Sequence, residues 1–152
     1  MGKRQWLQFL SSADREEQAL LLAELDGWID RLNHVNTAVP ILVEGRNDER
    51  ALRKLGVSGK ILHLHAGGIS IYERCRWIDR RYTQMILLLD WDRRGRQLRR
   101  RVLRFLEADW RTYDTYRREI ERLVGAYTQH VEDLARLYEM LFIVVHYEPV
   151  RE

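Results

Sequence analysis

Asp90 and Asp92 stand one residue apart in LLLDWDRRG, residues 87–95, at the end of the most apolar run of the chain. On an extended chain, side chains two residues apart point the same way, with Cα atoms roughly 7 Å apart. Two like charges so placed repel unless a carboxylate keeps a proton or a cation occupies the site. Mg²⁺ suits such a pair, because it needs only one or two carboxylates and keeps several waters that a phosphate can displace. A second acid, Glu44, precedes Gly45 at the end of another short apolar run, VPILVEG. Read singly, Asp92 serves equally well as a helix cap, and Glu44 as an ion-pair partner of Arg46 or Arg50. Brought to one edge of one sheet, the three acids are a candidate site for a metal ion and a phosphate.

Such a site needs a scaffold that joins distant runs. VPILVEG, KILHLHAGG and TQMILLLDWD read as buried strands, and each is followed by a helical segment: DERALRKL, SIYERCRWIDRRY and RGRQLRRRVLRFLEA. Three strand–helix pairs predict a doubly wound α/β fold with a mainly parallel sheet and right-handed crossovers. Ligands of such sheets sit beyond the carboxyl ends of the strands, where Glu44, Asp90 and Asp92 all fall. Asn47 or Asp48 is the expected cap of the first of these helices. DWRTYD predicts a fourth, edge strand, for a sheet of about four. Before the sheet, apolar spacing predicts a helix from Ser12 to Leu32, capped by Asp14 or Ser12 and ended by NHVNT. After it, TYRREIERLVGAY and TQHVEDLARLYEML predict two more helices, and FIVVHYE either lengthens the last or forms a strand. The expected division is an N-terminal helical extension over 1–36, an α/β domain over 37–115 and a C-terminal helical extension over 116–152. The flanking helices serve as packing elements or as a homodimer interface.

A chain of 152 residues has room for one domain with appendages. No apolar run approaches the roughly 18 residues of a membrane span, and the amino terminus lacks the pattern of an export signal. With the single cysteine, Cys75, this leads us to expect a cytoplasmic protein. Charge is distributed unevenly: 4 basic against 6 acidic residues over 1–36, 16 against 8 over 37–107, and 6 against 9 over 108–152. Of 26 basic residues only 3 are lysine. Genome base composition could favour arginine throughout, but it does not gather arginines in the middle. RRGRQLRRRVLR has seven arginines in twelve residues and no acid, and its helix starts beside the aspartates. The guanidinium fork matches two phosphate oxygens, and a helix amino terminus favours anions.

At these residues the sequence resembles the Toprim domain, shared by type IA and type II topoisomerases, bacterial-type primases, several nucleases and recombination mediators. LVEGRND matches its glutamate motif and LLLDWDRRG its Asp-x-Asp motif, with the likeness covering about residues 38–115. The whole chain is similar to small stand-alone Toprim proteins of archaea. The resemblance implies that Glu44 is a general acid or base for phosphodiester chemistry. It also implies that Asp90 and Asp92, with Glu44 beside them, hold Mg²⁺, with Mn²⁺ as the alternative ion. Gly45 and Gly95 would let backbone approach phosphate. Arg46, Arg93, Arg94, Arg96, Arg99 and Arg100 are the candidate contacts to nucleic acid. One departure stands out: some members carry a further acid after the Asp-x-Asp, where this chain has Arg93 and Arg94.

The chain has no room for the additional domains that supply a tyrosine nucleophile or bind a template, so water is the expected attacking group. The resulting expectation is a Mg²⁺-dependent nuclease acting on RNA or DNA. The alternative is a noncatalytic nucleic-acid-binding or assembly module of the same fold. A phosphate-accepting receiver-like domain fits less well, because no lysine follows Lys60. Trp91, between the aspartates, should point away from them into the core, with base stacking the other use of such a ring. His63 and His65 share a face of the second strand and lack partners at zinc spacing, so packing or substrate contact fits them better than metal ligation.

Overall fold

The computed structural model describes Trp6 and residues 14–147. Helix α1 runs Arg15–Asn36, β1 Ile41–Val43, α2 Arg46–Lys54, β2 Ile61–His63, α3 Ile71–Asp79, β3 Ile86–Leu87 and α4 Arg93–Phe105. Helix α5 then spans Thr115–Val124 and α6 Leu134–Tyr147, each preceded by a short 3₁₀ turn, at Arg111–Tyr113 and Val131–Asp133. The strands are parallel in the order β2-β1-β3. The expected α/β architecture is present, with three strands.

The fourth strand is the difference. The segment 109–114 contributes one bridge, between Gln84 and Asp109, before it turns into 3₁₀ helix. The Asp109 side chain accepts from the Thr112 amide and hydroxyl, a local turn that competes with extended pairing. In FIVVHYE, residues 142–147 resolve in favour of helix, since α6 continues to Tyr147, while Glu148 lies outside the described residues.

Alternation along the strands sorts the core into two layers. Ile41, Val43, Ile86 and Leu88 face Leu52 of α2 together with apolar side chains of α1, α5 and α6. Leu42, Leu62, Leu64, Leu87 and Leu89 face Ile78 of α3 and Leu98 and Val102 of α4. All three residues of β1 are fully buried, as expected for a central parallel strand covered on both faces. At about 1.5–3 kcal/mol per fully buried aliphatic side chain, these three residues together contribute roughly 5–9 kcal/mol. Cys75 lies in the second layer, where burial, ahead of the nearby Asp79 charge, pushes its thiol up to about 11.

Helix α1 starts at the expected cap, since Asp14 accepts from the Glu16 amide. Ser12 lies outside the described residues. The helix runs four residues further than expected, through Asn33–Asn36, because tertiary bonds hold the polar residues in place. The Asn33 side chain accepts from the Ser58 amide, and the Asn36 side chain donates to the Val39 and Lys60 carbonyls. Trp28 on the inner face is fully buried and donates its ring N–H to the Tyr116 carbonyl at 3.0 Å, tying α1 to α5. No helix of the described residues is long and apolar enough to cross a membrane.

Candidate metal centre

Chain order reverses at β1: β2 lies on one side of it and β3 on the other. A crevice therefore opens beyond the carboxyl ends of β1 and β3, the place where doubly wound sheets bind ligands. Glu44 follows β1 and Asp90 and Asp92 follow β3, and all three line one cleft of about 380 Å³. Gly45, Arg46 and Arg94 line it too, with Asp48, His65 and His130.

Backbone geometry fixes the aspartates. Asp92 is the amino-terminal cap of α4, its Oδ1 accepting from the Gly95 amide at 2.7 Å. Asp90 Oδ1 accepts from the Val131 amide at 2.8 Å. Each carboxylate thus commits one oxygen to the backbone and turns the other toward a third side chain, His130. Its Nδ1 lies 3.4 Å from Asp90 Oδ2 and 3.5 Å from Asp92 Oδ2. Both separations exceed the usual 2.7–3.2 Å of an N–H···O bond. These atoms surround a common space, with the imidazole in long contact with both carboxylates. One ligand atom from each of Asp90, Asp92 and His130 lies within 4.8 Å of the others, close enough for the residues present to fit a divalent ion.

Gly95 explains how α4 can begin so close to β3. A Cβ there would lie 2.2 Å from the Asp90 carbonyl oxygen, so the glycine lets the helix start against the strand end. Gly45 is different: it is extended, open toward the cleft, and has no atom within 4 Å of where a Cβ would lie. It also takes the capping position expected of Asn47 or Asp48. Asp48 instead reaches back from the third helical position, and its carboxylate accepts from the Gly45 amide at 3.1 Å. Burial, ahead of the charges of Asp90, Glu44 and Glu132, pushes its carboxyl up to about 6, although the Gly45 bond pulls the other way. A group with that titration four residues from Glu44 is visible in EGRND only as a cap.

Glu44 pairs with Arg94, not with Arg46 or Arg50, and His65 Nε2 stands 3.5 Å from Glu44 Oε1. His63 bonds Glu49 at 2.7 Å instead. Trp91 points away from the acids, is buried, and donates its ring N–H to the Thr128 carbonyl at 2.9 Å, so packing is its role.

The arginines divide into two groups. Arg99 is paired with Asp114 at 3.0 Å and lies over the Trp110 ring, which makes it part of the fold. Arg96 donates to the Trp91 carbonyl and pairs with Glu121 of α5. Arg93 and Arg100 are exposed and border a second cleft of about 380 Å³ that shares Asp92 with the first. A larger cleft, about 880 Å³ between α2 and α6, mixes Arg50, Lys54 and Arg136 with Glu132, Asp133 and Glu139 and so has no net sign.

A three-layer α/β fold with paired carboxylates at its switch point presents a candidate site for a divalent metal. The chain belongs to the Toprim domain family, whose pattern matches residues 39–123. It is 36% identical to a UPF0292 protein of Thermococcus onnurineus over 126 residues, 81% of this chain and 91% of that one. A UPF0292 protein of Pyrococcus horikoshii is 35% identical over 72% of this chain and 80% of its own length. The fold is also that of a protein from Aquifex aeolicus, with a TM-score of 0.54, 22% identity, and coverage of 72% of this chain and 96% of that one.

Proposed function

We propose that this protein is a metal-dependent nuclease that uses water to cleave a phosphodiester of RNA or DNA. The observation that carries the reading is the meeting of Glu44 with the Asp90–Asp92 pair in one cleft that Arg46 and Arg94 also line. A divalent ion held by Asp90 and Asp92, Mg²⁺ or Mn²⁺, would supply positive charge to the phosphate and make bound water more acidic. The remaining roles belong to the chain. Arg94, now on Glu44, can instead bond two oxygens of an entering phosphate. That exchange frees the Glu44 carboxylate to take a proton from the attacking water or return one to the leaving oxygen. His65, at 3.5 Å from Glu44, is placed to orient that carboxylate. Arg46 on the same cleft, and Arg93 and Arg100 on the adjoining one, hold the flanking backbone.

The test is a cleavage assay on a pool of folded RNAs, single strands and duplex DNA, with Mg²⁺ and Mn²⁺ supplied separately and then withdrawn by chelation. Cleavage that follows the ion supports the nuclease. Tight binding without cleavage of any substrate moves the assignment to a noncatalytic nucleic-acid-binding module.

The exposed arginines give a second expected result. Arg93→Gln with Arg100→Gln should weaken binding similarly for all sequences and lower the slope of log affinity against log salt by roughly 1.4–1.8, at about 0.7–0.9 for each phosphate no longer neutralised. Arg99→Gln should instead lower the melting temperature, because it breaks the Asp114 pair. An unchanged slope in the first variant removes this face from the binding surface.

A further inference from the structure

We infer that His130 is a third metal ligand, supplied by the C-terminal part of the chain, and that it biases this centre toward a transition-metal ion over Mg²⁺. The inference rests on the reading of the Asp90–Asp92 cleft as a metal site.

The geometry of the loop before α6 is the first argument. Residues 128–131 are bonded onto the Asp-Trp-Asp turn at several points. The Trp91 amide donates to the Gln129 carbonyl at 3.1 Å, and its ring N–H to the Thr128 carbonyl at 2.9 Å. The Val131 amide donates to Asp90 Oδ1 at 2.8 Å. Thr128 is in turn fixed by its hydroxyl, which accepts from the His130 amide at 3.1 Å and donates to Asp133 at 2.7 Å. His130 is thus carried on backbone locked to the same turn that carries both aspartates. Such preorganisation is what a coordination site needs, since little remains to be ordered when the ion enters.

Spacing is the second argument. Donor atoms about 2.1 Å from a common ion lie roughly 3.0 Å apart at neighbouring octahedral positions and roughly 3.4 Å apart in a tetrahedron. His130 Nδ1 already lies 3.4 and 3.5 Å from the inward oxygens of Asp90 and Asp92. The other nearby histidines are directed elsewhere, His63 to Glu49 and His65 to Glu44. His130 is also partly open to solvent, at 41% of its side chain, so an ion can reach it.

Donor chemistry then decides the ion. Mg²⁺ favours oxygen and keeps its waters, whereas an imidazole nitrogen suits later first-row ions such as Co²⁺, Ni²⁺ and Zn²⁺. Every N/O site binds those ions more tightly than early ones, so raw affinity does not test the idea. The diagnostic quantity is the part of the preference that depends on His130.

The experiment titrates Mg²⁺ and Co²⁺, each alone, into the full chain by calorimetry, for the natural protein, His130→Ala and His130→Gln. A Co²⁺-shifted exchangeable imidazole N–H signal is sought by NMR in parallel, and circular dichroism reports the fold. We expect each substitution to weaken Co²⁺ by about tenfold or more, the scale for disturbing a metal's ligand shell, and Mg²⁺ by less than about threefold. The shifted imidazole signal should be present in the natural protein and lost from both variants. Equal losses for both ions, or no loss for Co²⁺ in a folded variant, overturn the inference. Failure of the natural protein to bind either ion overturns it together with the metal site. His130-dependent Co²⁺ binding without cleavage of any nucleic acid leaves the inference standing and overturns only the nuclease.

Discussion

Glu44→Gln should reduce phosphodiester cleavage by about 100-fold or more, the usual scale for losing a general acid or base, while nucleic-acid affinity stays within a few-fold. Glutamine keeps the size of the side chain and removes only the group that exchanges a proton. Affinity is spared for a structural reason: the substitution removes the carboxylate that holds Arg94, so this arginine becomes more available to phosphate. Single-turnover cleavage and binding without divalent ion, measured on the same substrate, separate the two effects. Full activity in the variant would assign the proton transfer to another group, and His65 or Asp48 would be next to replace.

The double change Asp90→Asn, Asp92→Asn should abolish both cleavage and the stabilisation of the protein by metal. A ligand that binds only the folded state at 100 times its Kd stabilises it by about 2.7 kcal/mol. For a chain of this size that is roughly 5–10 °C in Tm. Asparagine oxygens can still accept from the Val131 and Gly95 amides, so the metal-free variant should melt no lower than the natural protein. Asp48 adds a signature in pH. Its folded-state value of about 6 means that the native protein keeps a proton the unfolded chain has already released. Stability should therefore fall as pH rises from about 4 to about 6 and change little above that, so far as this group is concerned. Burial is the largest cause, so this fall should persist in the double variant, but less steeply, because the Asp90 charge is gone. Urea midpoints across that pH range, with and without divalent ion, measure all of this. A metal-induced rise in Tm that survives the double change would place the ion elsewhere.

Much of the scaffold is legible in the sequence because its signals are local. Apolar runs ending in acid or glycine mark the strands, and the Asp-x-Asp spacing alone puts both carboxylates on one side with Trp91 on the other. The edge strand is not legible, because DWRTYD has aromatic and β-branched residues of strand type, while Asp109 forms a turn with Thr112 that only three-dimensional context favours. The end of α1 reads too early because Asn33 and Asn36, turn-formers in isolation, find partners in the loop before β2. Arg99 looks like its neighbours in the arginine run, and its commitment to Asp114 depends on a contact across the fold. His130 has no signal: it follows the aspartates by about forty residues, in an irregular segment with no ligand spacing around it.

That separation in sequence also sets an order of events in synthesis. Asp90 takes its bond from an amide 41 positions later in the chain. At about 5–20 residues per second, a ribosome needs roughly 2–8 s to add that stretch. Through that interval the aspartates are present but neither oriented by the loop nor joined by His130. The arrangement of Asp90, Asp92 and His130 is thus among the last parts of the molecule to mature. A half-made chain therefore carries its arginine helix before it has the loop that orients its aspartates.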